Sequence, residues 1–486
     1  MLGSKDINIK EVARSLSSLI VIEGVLMLLS IPFAIYYSED SWPIIQSSLI
    51  TIGVGMFVFG ISGKKNSKHV GKREAYMIVS LAWVVISLFG TLPYIFSGSI
   101  PNFTNAFFET MSGFTTTGSS VLMDIEAVPK NILFWRSMTH WIGGMGIIVL
   151  TLAIMPLLGV GASTLFAAES PGPTTDKLHP TITGTAKRLW FIYVVLTFIE
   201  TILLWAGEMD FFDAICHSFA TLATGGFSTK NDSIAHFGPY VQYVITIFMF
   251  LAGVSFSIHY FFSKRKWSKV FKNEEFKFYS GVIIGSTALI TAILIYNFDG
   301  DFELYFRNTV FQVVSIVTTT GFVTDNYLLW PTVAWFVLVL LMFTGGSAGS
   351  TGGGIKMIRH LLLFKTAGLH LKKMVHPRAF FTIKYNGKSV REDVLFSVMG
   401  FLLFYSIIFG IGVFIMTALG LDFDTAIGAS ISSLGNIGPG IGNVGPVDNF
   451  AAIPQIGKWV LSMLMLLGRL ELFTILVFLS PGFWKK

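Results

Sequence analysis

Apolar residues in this chain run on for about 20 positions at a time, the length that crosses the hydrocarbon of a bilayer as a helix, and polar residues gather between the runs. Two runs come first, Leu19–Tyr37 and Ile44–Ile61, joined by a short acidic turn at Glu39, Asp40 and Pro43. From there a unit recurs: a long apolar span, a half-length apolar helix, a Gly/Thr stretch, a polar loop and a second long span. The long spans are Ala75–Phe96 and Ile132–Leu158, Leu189–Trp205 and Val241–Phe262, Phe278–Phe298 and Trp330–Phe364, and Val394–Leu419 and Trp459–Leu479. Between the members of each pair lie Asn105–Phe114, Phe212–Leu222, Tyr305–Val317 and Asp424–Leu434. Segments of that size are too short to span a bilayer, so they are expected to be re-entrant.

Each half-helix runs into a stretch rich in glycine and threonine. These are Gly113-Phe114-Thr115-Thr116-Thr117-Gly118-Ser119, Ala223-Thr224-Gly225-Gly226-Phe227, Thr318-Thr319-Thr320-Gly321-Phe322 and Gly435-Asn436-Ile437-Gly438-Pro439. Non-helical backbone inside a membrane is tolerated only where protein buries it or where it lines an aqueous cavity. Twelve residues before Gly118, Gly226, Gly321 and Gly438 stand Ala106, Ala214, Thr309 and Ala426, all small enough for close packing. The glycines are 108, 95 and 117 residues apart, which suits a diverged duplication with variable loops better than a solenoid. The pattern predicts an all-α polytopic membrane protein with four span–pore-helix–span repeats around a central pore, plus two extra N-terminal transmembrane helices. The units are drawn at residues 1–68, 69–165, 166–272, 273–385 and 386–486.

Composition agrees: 53% of the residues are hydrophobic and only 13% charged, against about a quarter charged in soluble domains. The net charge of +6 does not indicate a nucleic-acid partner, because Lys and Arg sit in short loops rather than on one face. Cys216 is the only cysteine, which excludes a disulfide within the chain and a cysteine-based metal cluster. The polar N-terminus, with no cleavage site after its apolar run, predicts that the first run stays as a helix.

Charge also orients the chain. Alternate loops carry Lys64, Lys65, Lys68, Lys72 and Arg73, then Lys177, Lys187 and Arg188, then Lys264, Arg265, Lys266, Lys269, Lys272 and Lys277. The segment from Arg359 to Arg391 and the terminal Lys485-Lys486 lie on the same side. The other loops hold isolated cations and more acids. The positive-inside rule then predicts ten spans, both termini cytoplasmic and all four Gly/Thr stretches toward the outside.

A glycine in a re-entrant loop takes positive φ and aims successive carbonyls at one axis. Rings of carbonyls replace the hydration shell of a potassium-sized cation. Each half-helix points its negative C-terminal end at that axis, favouring a cation over an anion. Close helix packing is the structural alternative.

Residues Thr115–Gly118, Thr224–Thr229, Thr319–Phe322 and Gly435–Gly440, set in four repeats, resemble the Trk/Ktr/HKT superfamily of potassium transporters over essentially the whole chain. The two extra N-terminal spans bring it closest to the bacterial TrkH-type subunits of that superfamily. The resemblance implies that Thr116, Thr117, Gly118, Thr224, Gly225, Gly226, Thr319, Thr320, Gly321, Asn436, Ile437 and Gly438 form a selectivity filter. Potassium would be held at Thr116, Thr117, Thr224, Gly225, Thr319, Thr320, Asn436 and Ile437. Serine at the first-repeat glycine is associated with sodium-selective plant relatives, so Gly118 points to potassium. The four stretches differ from one another, and none has the TVGYG of tetrameric channels, which suggests a less stringent filter.

The run Thr344-Gly345-Gly346-Ser347-Ala348-Gly349-Ser350-Thr351-Gly352-Gly353-Gly354-Ile355-Lys356 interrupts the second span of repeat 3. It lacks the phosphate-loop spacing and does not join a strand to a helix. A structural kink and a gate are both compatible with it; the resemblance implies an intramembrane gate, with Gly345, Gly346, Ser347, Gly349, Gly352, Gly353, Gly354 and Lys356 as its residues. Arg469 falls within an apolar span, where a charge faces a protein interior or a water cavity. It either braces half-helix carbonyls, with Glu471 contributing, or places its cation beneath the filter against the gate.

Lesser expectations are that Glu23 and His259 snorkel or hydrogen-bond near cytoplasmic ends, and that Arg136 and His140 make a structural polar contact. Glu200 reads as an interhelical hydrogen bonder or a proton relay. Trp141, Trp190, Trp205, Trp330 and Trp459 read as interfacial anchors. No nucleophile–base arrangement or HExxH site is present, so an enzyme is not expected. The resemblance further implies a bacterial plasma-membrane homodimer beneath which a cytosolic ring of RCK-type (Rossmann-like) nucleotide-binding subunits sits. Potassium is then the transported ion, with no organic cofactor in this chain. A pore with gated flux is the leading reading, and symport coupled to H⁺ or Na⁺ the alternative.

Overall fold

The computed structural model describes residues 7–63, 71–146 and 182–484. Lys64, Lys65, Lys68, Lys177, Lys485 and Lys486 lie outside these residues, as do the inner half of the span drawn at Ile132–Leu158 and the unit boundaries near 68 and 165. Among the described residues six helices are long and apolar enough to cross a membrane: Ile9–Tyr36, Trp42–Ile61, Arg73–Phe96, Lys187–Trp205, Glu274–Asn297 and Glu392–Ala418. Their outer sides leave Phe57, Phe198, Ile284 and Phe414 about two-thirds or more exposed, apolar surface of a kind that soluble proteins do not display.

The first helix begins ten residues before the start read from hydropathy. Asn8 caps it by accepting from the Glu11 amide at 3.2 Å, and Glu11 is buried rather than solvated. The second helix lies close against it because Gly24 leaves room for the Ser48 hydroxyl to reach the Gly24 carbonyl at 2.7 Å.

The four half-helices are Phe103–Phe114, Phe211–Leu222, Phe302–Val317 and Phe423–Gly435. All start on an acid or amide cap: Asn102 (to the Asn105 amide, 3.1 Å), Asp210 (Asp213, 2.6 Å), Asp301 (Glu303, 3.4 Å) and Asp422 (Thr425, 3.0 Å). The third carries an extra turn. Ala106, Ala214, Thr309 and Ala426 are fully buried, as their size suggests.

The second spans depart from the sequence reading. In repeat 2, Val241–Phe262 is not one helix: Pro239–Gly253 and Phe256–Ser263 meet at 102°. In repeat 4, Gln455–Arg469 and Phe473–Leu479 meet at 105°, so Arg469 ends a helix rather than sitting inside one. Glu471 and Leu472 take φ of 53° and 59° at that corner. Repeat 1 widens into a π-turn at Ile142–Gly146 after Lys130–Trp141. In repeat 3, Thr332–Leu341 and Met357–Val375 are separated by the expected glycine-rich break. Hydropathy cannot report such bends, since both limbs remain apolar.

The buried apolar side chains form two large clusters. One joins the N-terminal pair with repeats 1 and 4; the other joins repeats 2 and 3. The Gly/Thr stretches lie where the two clusters meet.

Candidate functional site

Each Gly/Thr stretch leaves its half-helix by the same backbone path. Two residues before the glycine φ is positive, at Thr116 (52°), Thr224 (55°), Thr319 (59°) and Asn436 (54°). It is positive again at Gly118 (86°), Gly226 (80°), Gly321 (83°) and Gly438 (104°). A left-handed residue with a Cβ is strained by roughly 1–2 kcal/mol, and a β-branched threonine there is rare. One bond, made four times, holds it. The amide of the residue between the two donates to a carbonyl five positions back: Thr117 to Ser112 (2.8 Å), Gly225 to Ala220 (2.8 Å), Thr320 to Ser315 (2.8 Å) and Ile437 to Ser432 (3.0 Å). Strain at four matched positions is what functional loops carry.

The stretches close on one another. A Cβ added to Gly118 would first strike the Gly225 carbonyl oxygen, and one on Gly226 the Thr320 carbonyl oxygen. One on Gly321 would strike the Ile437 carbonyl oxygen, and one on Gly438 the Thr117 carbonyl oxygen. Repeat 1 thus meets 2, 2 meets 3, 3 meets 4 and 4 meets 1. The twelve residues named from the sequence are brought together as a ring, and the carbonyls of Thr117, Gly225, Thr320 and Ile437 pack against its glycines.

Further bonds tie the ring at each junction. Ile234 N donates to Val323 O at 3.0 Å, the Tyr327 hydroxyl to Gly440 O at 2.6 Å, and Phe450 N to Ser120 O at 2.8 Å. Between repeats 1 and 2 the tie is a hydrogen bond from Arg136, itself held by an ion pair within repeat 1. Arg136, 2% exposed, pairs with the fully buried Glu109 at 2.8 Å and donates to Ser228 O at 2.9 Å. Glu109 also accepts from the Val121 amide (2.8 Å) and the Ser120 hydroxyl (2.9 Å). Arg136 and His140 both make structural polar contacts, His140 accepting from the Phe227 amide at 3.4 Å, but with other partners rather than with each other. The Arg136 guanidinium lies 3.5 Å from the Phe227 ring centre, and His140 stacks on the same ring at 4.0 Å. Both therefore hold the residue after Gly226.

Side chains beneath the ring are less alike. Thr115 and Thr117 share a hydroxyl–hydroxyl bond of 2.8 Å, repeated by Thr318 and Thr320. Asn436 instead donates to the Thr117 hydroxyl (3.0 Å) and to Met465 O (2.9 Å).

The glycine-rich break of repeat 3 lies directly below. Gly345 N donates to Ile355 O (2.9 Å) and Met357 N to Gly346 O (3.2 Å), folding residues 345–356 into a closed loop. The Gly353 amide donates to the Thr319 hydroxyl at 2.7 Å, and its Cα faces Asn436. Ser347 N donates to Gly253 O (2.8 Å), and Phe256 N to Gly349 O (3.0 Å), binding the loop across the bend of repeat 2. Lys356 turns back to the Gly352 carbonyl.

Arg469 reaches the loop from repeat 4. It donates to Thr351 O at 2.8 Å and to Gly143 O and Gly144 O of repeat 1 at 2.6 and 2.9 Å. The carbonyls it braces belong to the loop and the π-turn, not to half-helices, and Glu471 pairs with Arg359 instead.

Other assignments change. Glu23 is buried within its helix, 4% exposed, and does not snorkel. His259 does hydrogen-bond, to Leu251 O at 2.8 Å. Trp141 and Trp330 are internal, donating to the Thr197 hydroxyl (3.3 Å) and the Asp325 carboxylate (2.9 Å). Trp190, Trp205 and Trp459 are exposed as anchors should be. Sequence reasoning missed Glu109, and no motif marks it. It also missed a hairpin at Lys384–Tyr385 and Lys388–Ser389, for which Asn386-Gly387 was an available signal. Among the described residues no cluster of His, Cys, Asp and Glu fits a metal.

A ring of four matched backbone stretches inside a helical membrane domain points to the class of transport proteins. The model of the TrkH cation transport proteins matches residues 45–295 and 303–486. The Trk system potassium uptake protein TrkH of Escherichia coli K12 is 40% identical over 473 residues, covering 96% of this chain and 97% of that one. The TrkH of Halomonas elongata is 36% identical over 99% of this chain and 100% of that one. The crystal structure of the potassium transporter TrkH from Vibrio parahaemolyticus superimposes with a TM-score of 0.88 at 34% identity, covering 98% of this chain and all of that one. The chain belongs to the TrkH family of cation transport proteins.

Proposed function

We propose that the chain takes up potassium across a bacterial plasma membrane through a selective, gated pore within each subunit. The observation that carries this reading is the closed ring of four stretches with matched backbone. In this reading the carbonyls at Thr116, Thr117, Thr224, Gly225, Thr319, Thr320, Asn436 and Ile437 replace water around K⁺. The loop at 345–356 and the Arg469 cation close the path beneath, where a fixed positive charge opposes a cation. The relatives' description as Trk system potassium uptake proteins supports the choice of ion. It also supports a multi-component system, in which we place a homodimer and an RCK-type nucleotide-binding subunit on the cytoplasmic side. Loop charge supports cytoplasmic termini, and the five-unit division is retained.

Coupled symport is the second reading, favoured by two buried carboxyls. Glu23 and Glu200 pair with no cation among the described residues, and such groups are suited to carrying protons. Flux of ⁸⁶Rb⁺ into liposomes under imposed gradients separates the two. The pore reading expects movement down the Rb⁺ electrochemical gradient at any proton or sodium gradient. Uphill Rb⁺ movement that needs either gradient, and stops in Glu200→Gln or Glu23→Gln, establishes symport.

A further inference from the structure

The loop at 345–356 is clamped from outside the ring by a carboxylate that no motif marks. Glu275 is 5% exposed on the first turn of Glu274–Asn297. Its Oε1 accepts from the Ala348 amide at 2.7 Å and from the Ile358 amide at 3.2 Å. Ala348 lies within the loop and Ile358 just past its exit. One oxygen atom therefore holds the loop near both ends.

The neighbouring residue is bound to the hairpin. The Glu274 amide donates to the Asn386 side-chain oxygen at 2.9 Å, and its carboxylate accepts from the Asn386 amide at 2.9 Å. Lys365 bridges the two elements, pairing with Glu274 and donating to Lys384 O at 2.7 Å. Asn386 and Gly387 both take positive φ (48° and 78°), the geometry of a tight two-residue turn. Ile383 and Tyr385 pack with Ile358, Leu362 and Val398 in a small core of their own, and Ala348 of the loop rests against it. The exposed turn, the Glu274–Glu275 dipeptide and the loop thus form one connected body. Its free end lies on the face of the basic loops.

We infer that Glu275 is a positioning residue that holds the intramembrane loop under the ring, and that the hairpin at 384–389 is the handle through which a force from the aqueous side moves that loop. This rests on reading the loop as a gate. Pulling the hairpin turn displaces Glu274 and Glu275 together, and Glu275 cannot shift without freeing the Ala348 and Ile358 amides.

The test is ⁸⁶Rb⁺ uptake per mole of monodisperse protein in liposomes, for Glu275→Ala, Glu275→Gln, Asn386→Ala and Arg469→Ala. Glu275→Ala is expected to raise maximal flux about fivefold or more, within the usual range of coupling between sites. Glu275→Gln, which keeps an acceptor oxygen, restores part of the closure. Asn386→Ala sits on an exposed turn where folding is not at stake, and shifts flux in the same direction by less. KM for Rb⁺ and the preference over Na⁺ stay unchanged in all three, which a general loosening of the fold would not leave intact. If Arg469→Ala raises flux while Glu275→Ala and Asn386→Ala leave it unchanged, the inference is overturned and the gate stands. If none of the four changes flux, the gate reading falls and takes the inference with it.

Discussion

The ring and the region just below it are built on opposite principles. At the ring, four diverged stretches share one backbone: the same two positive φ values, the same amide-to-carbonyl bond and the same close approach to the next repeat. Just below, the four second spans break in four different ways: a π-turn, a 102° bend, a closed glycine loop and a 105° corner. In the proposed reading, coordination of one ion by four partners requires equivalent geometry, so divergence there is confined to side chains. In the same reading a closure needs only one element to occupy the axis, and the other three are free to become its supports. Gly253 and Arg469 act in that way on the loop of repeat 3, and Gly143 and Gly144 hold Arg469 in turn.

The largest effect is expected from breaking the symmetric half. Gly321→Ala puts a Cβ against the Ile437 carbonyl at a φ that L-residues rarely adopt. Rb⁺ uptake should fall by about 100-fold, as strain and clash together amount to roughly 3 kcal/mol. Gly118→Ser puts a Cβ against the Gly225 carbonyl at a similar φ and should reduce uptake comparably while also lowering discrimination of K⁺ over Na⁺ in competition uptake; unchanged discrimination would remove Gly118 from the filter.

Next is the buried pair within repeat 1 whose arginine reaches Ser228 of repeat 2. Arg136→Met leaves the buried Glu109 without its ionic partner, which costs about 3–5 kcal/mol. The measurement is thermal unfolding in detergent, and the double variant with Glu109→Gln should recover most of the loss. If it does not, the loss does not come from the unpaired Glu109.

The asymmetric half should respond differently. Arg469→Ala frees the carbonyls of Thr351, Gly143 and Gly144, and flux should rise several-fold with ion preference unchanged. A loss of preference would place Arg469 in the ring rather than below it.

The smallest effect is at a cap. Asp422→Ala should destabilise by about 1 kcal/mol. The Thr425 amide, then the Thr425 hydroxyl, hold the Asp422 carboxyl below the ordinary carboxylate range. Its contribution is therefore present above the unfolded carboxylate pKa and is lost as pH falls through the lower, folded value. The difference in melting temperature between wild type and Asp422→Ala should shrink in acid; a constant difference would show that Asp422 caps without titrating.

The repeat was legible because it is written in lengths and composition. Half-helices too short to span, small residues twelve before each glycine, and the glycines themselves needed no contact to be seen. The caps Asn102, Asp210, Asp301 and Asp422 were equally available. Positive φ at Thr116, Thr224 and Thr319 was not, since threonine disfavours it and only the surrounding bonds impose it. Arg136 and His140 looked like partners one turn apart, yet each found Phe227, a residue of another repeat.

The sequence by itself determined that this chain lies in a membrane, that it repeats one unit four times, and where each unit interrupts its helices. Those follow from the cost of exposed backbone in hydrocarbon, which is local and leaves its mark on every span. The tertiary structure alone decided that the interruptions close into a ring, that the spans bend beneath it, and that Arg469 and Glu275 converge on one loop. Those depend on bonds between residues more than seventy positions apart, made by carbonyls and carboxylates that carry no local signature.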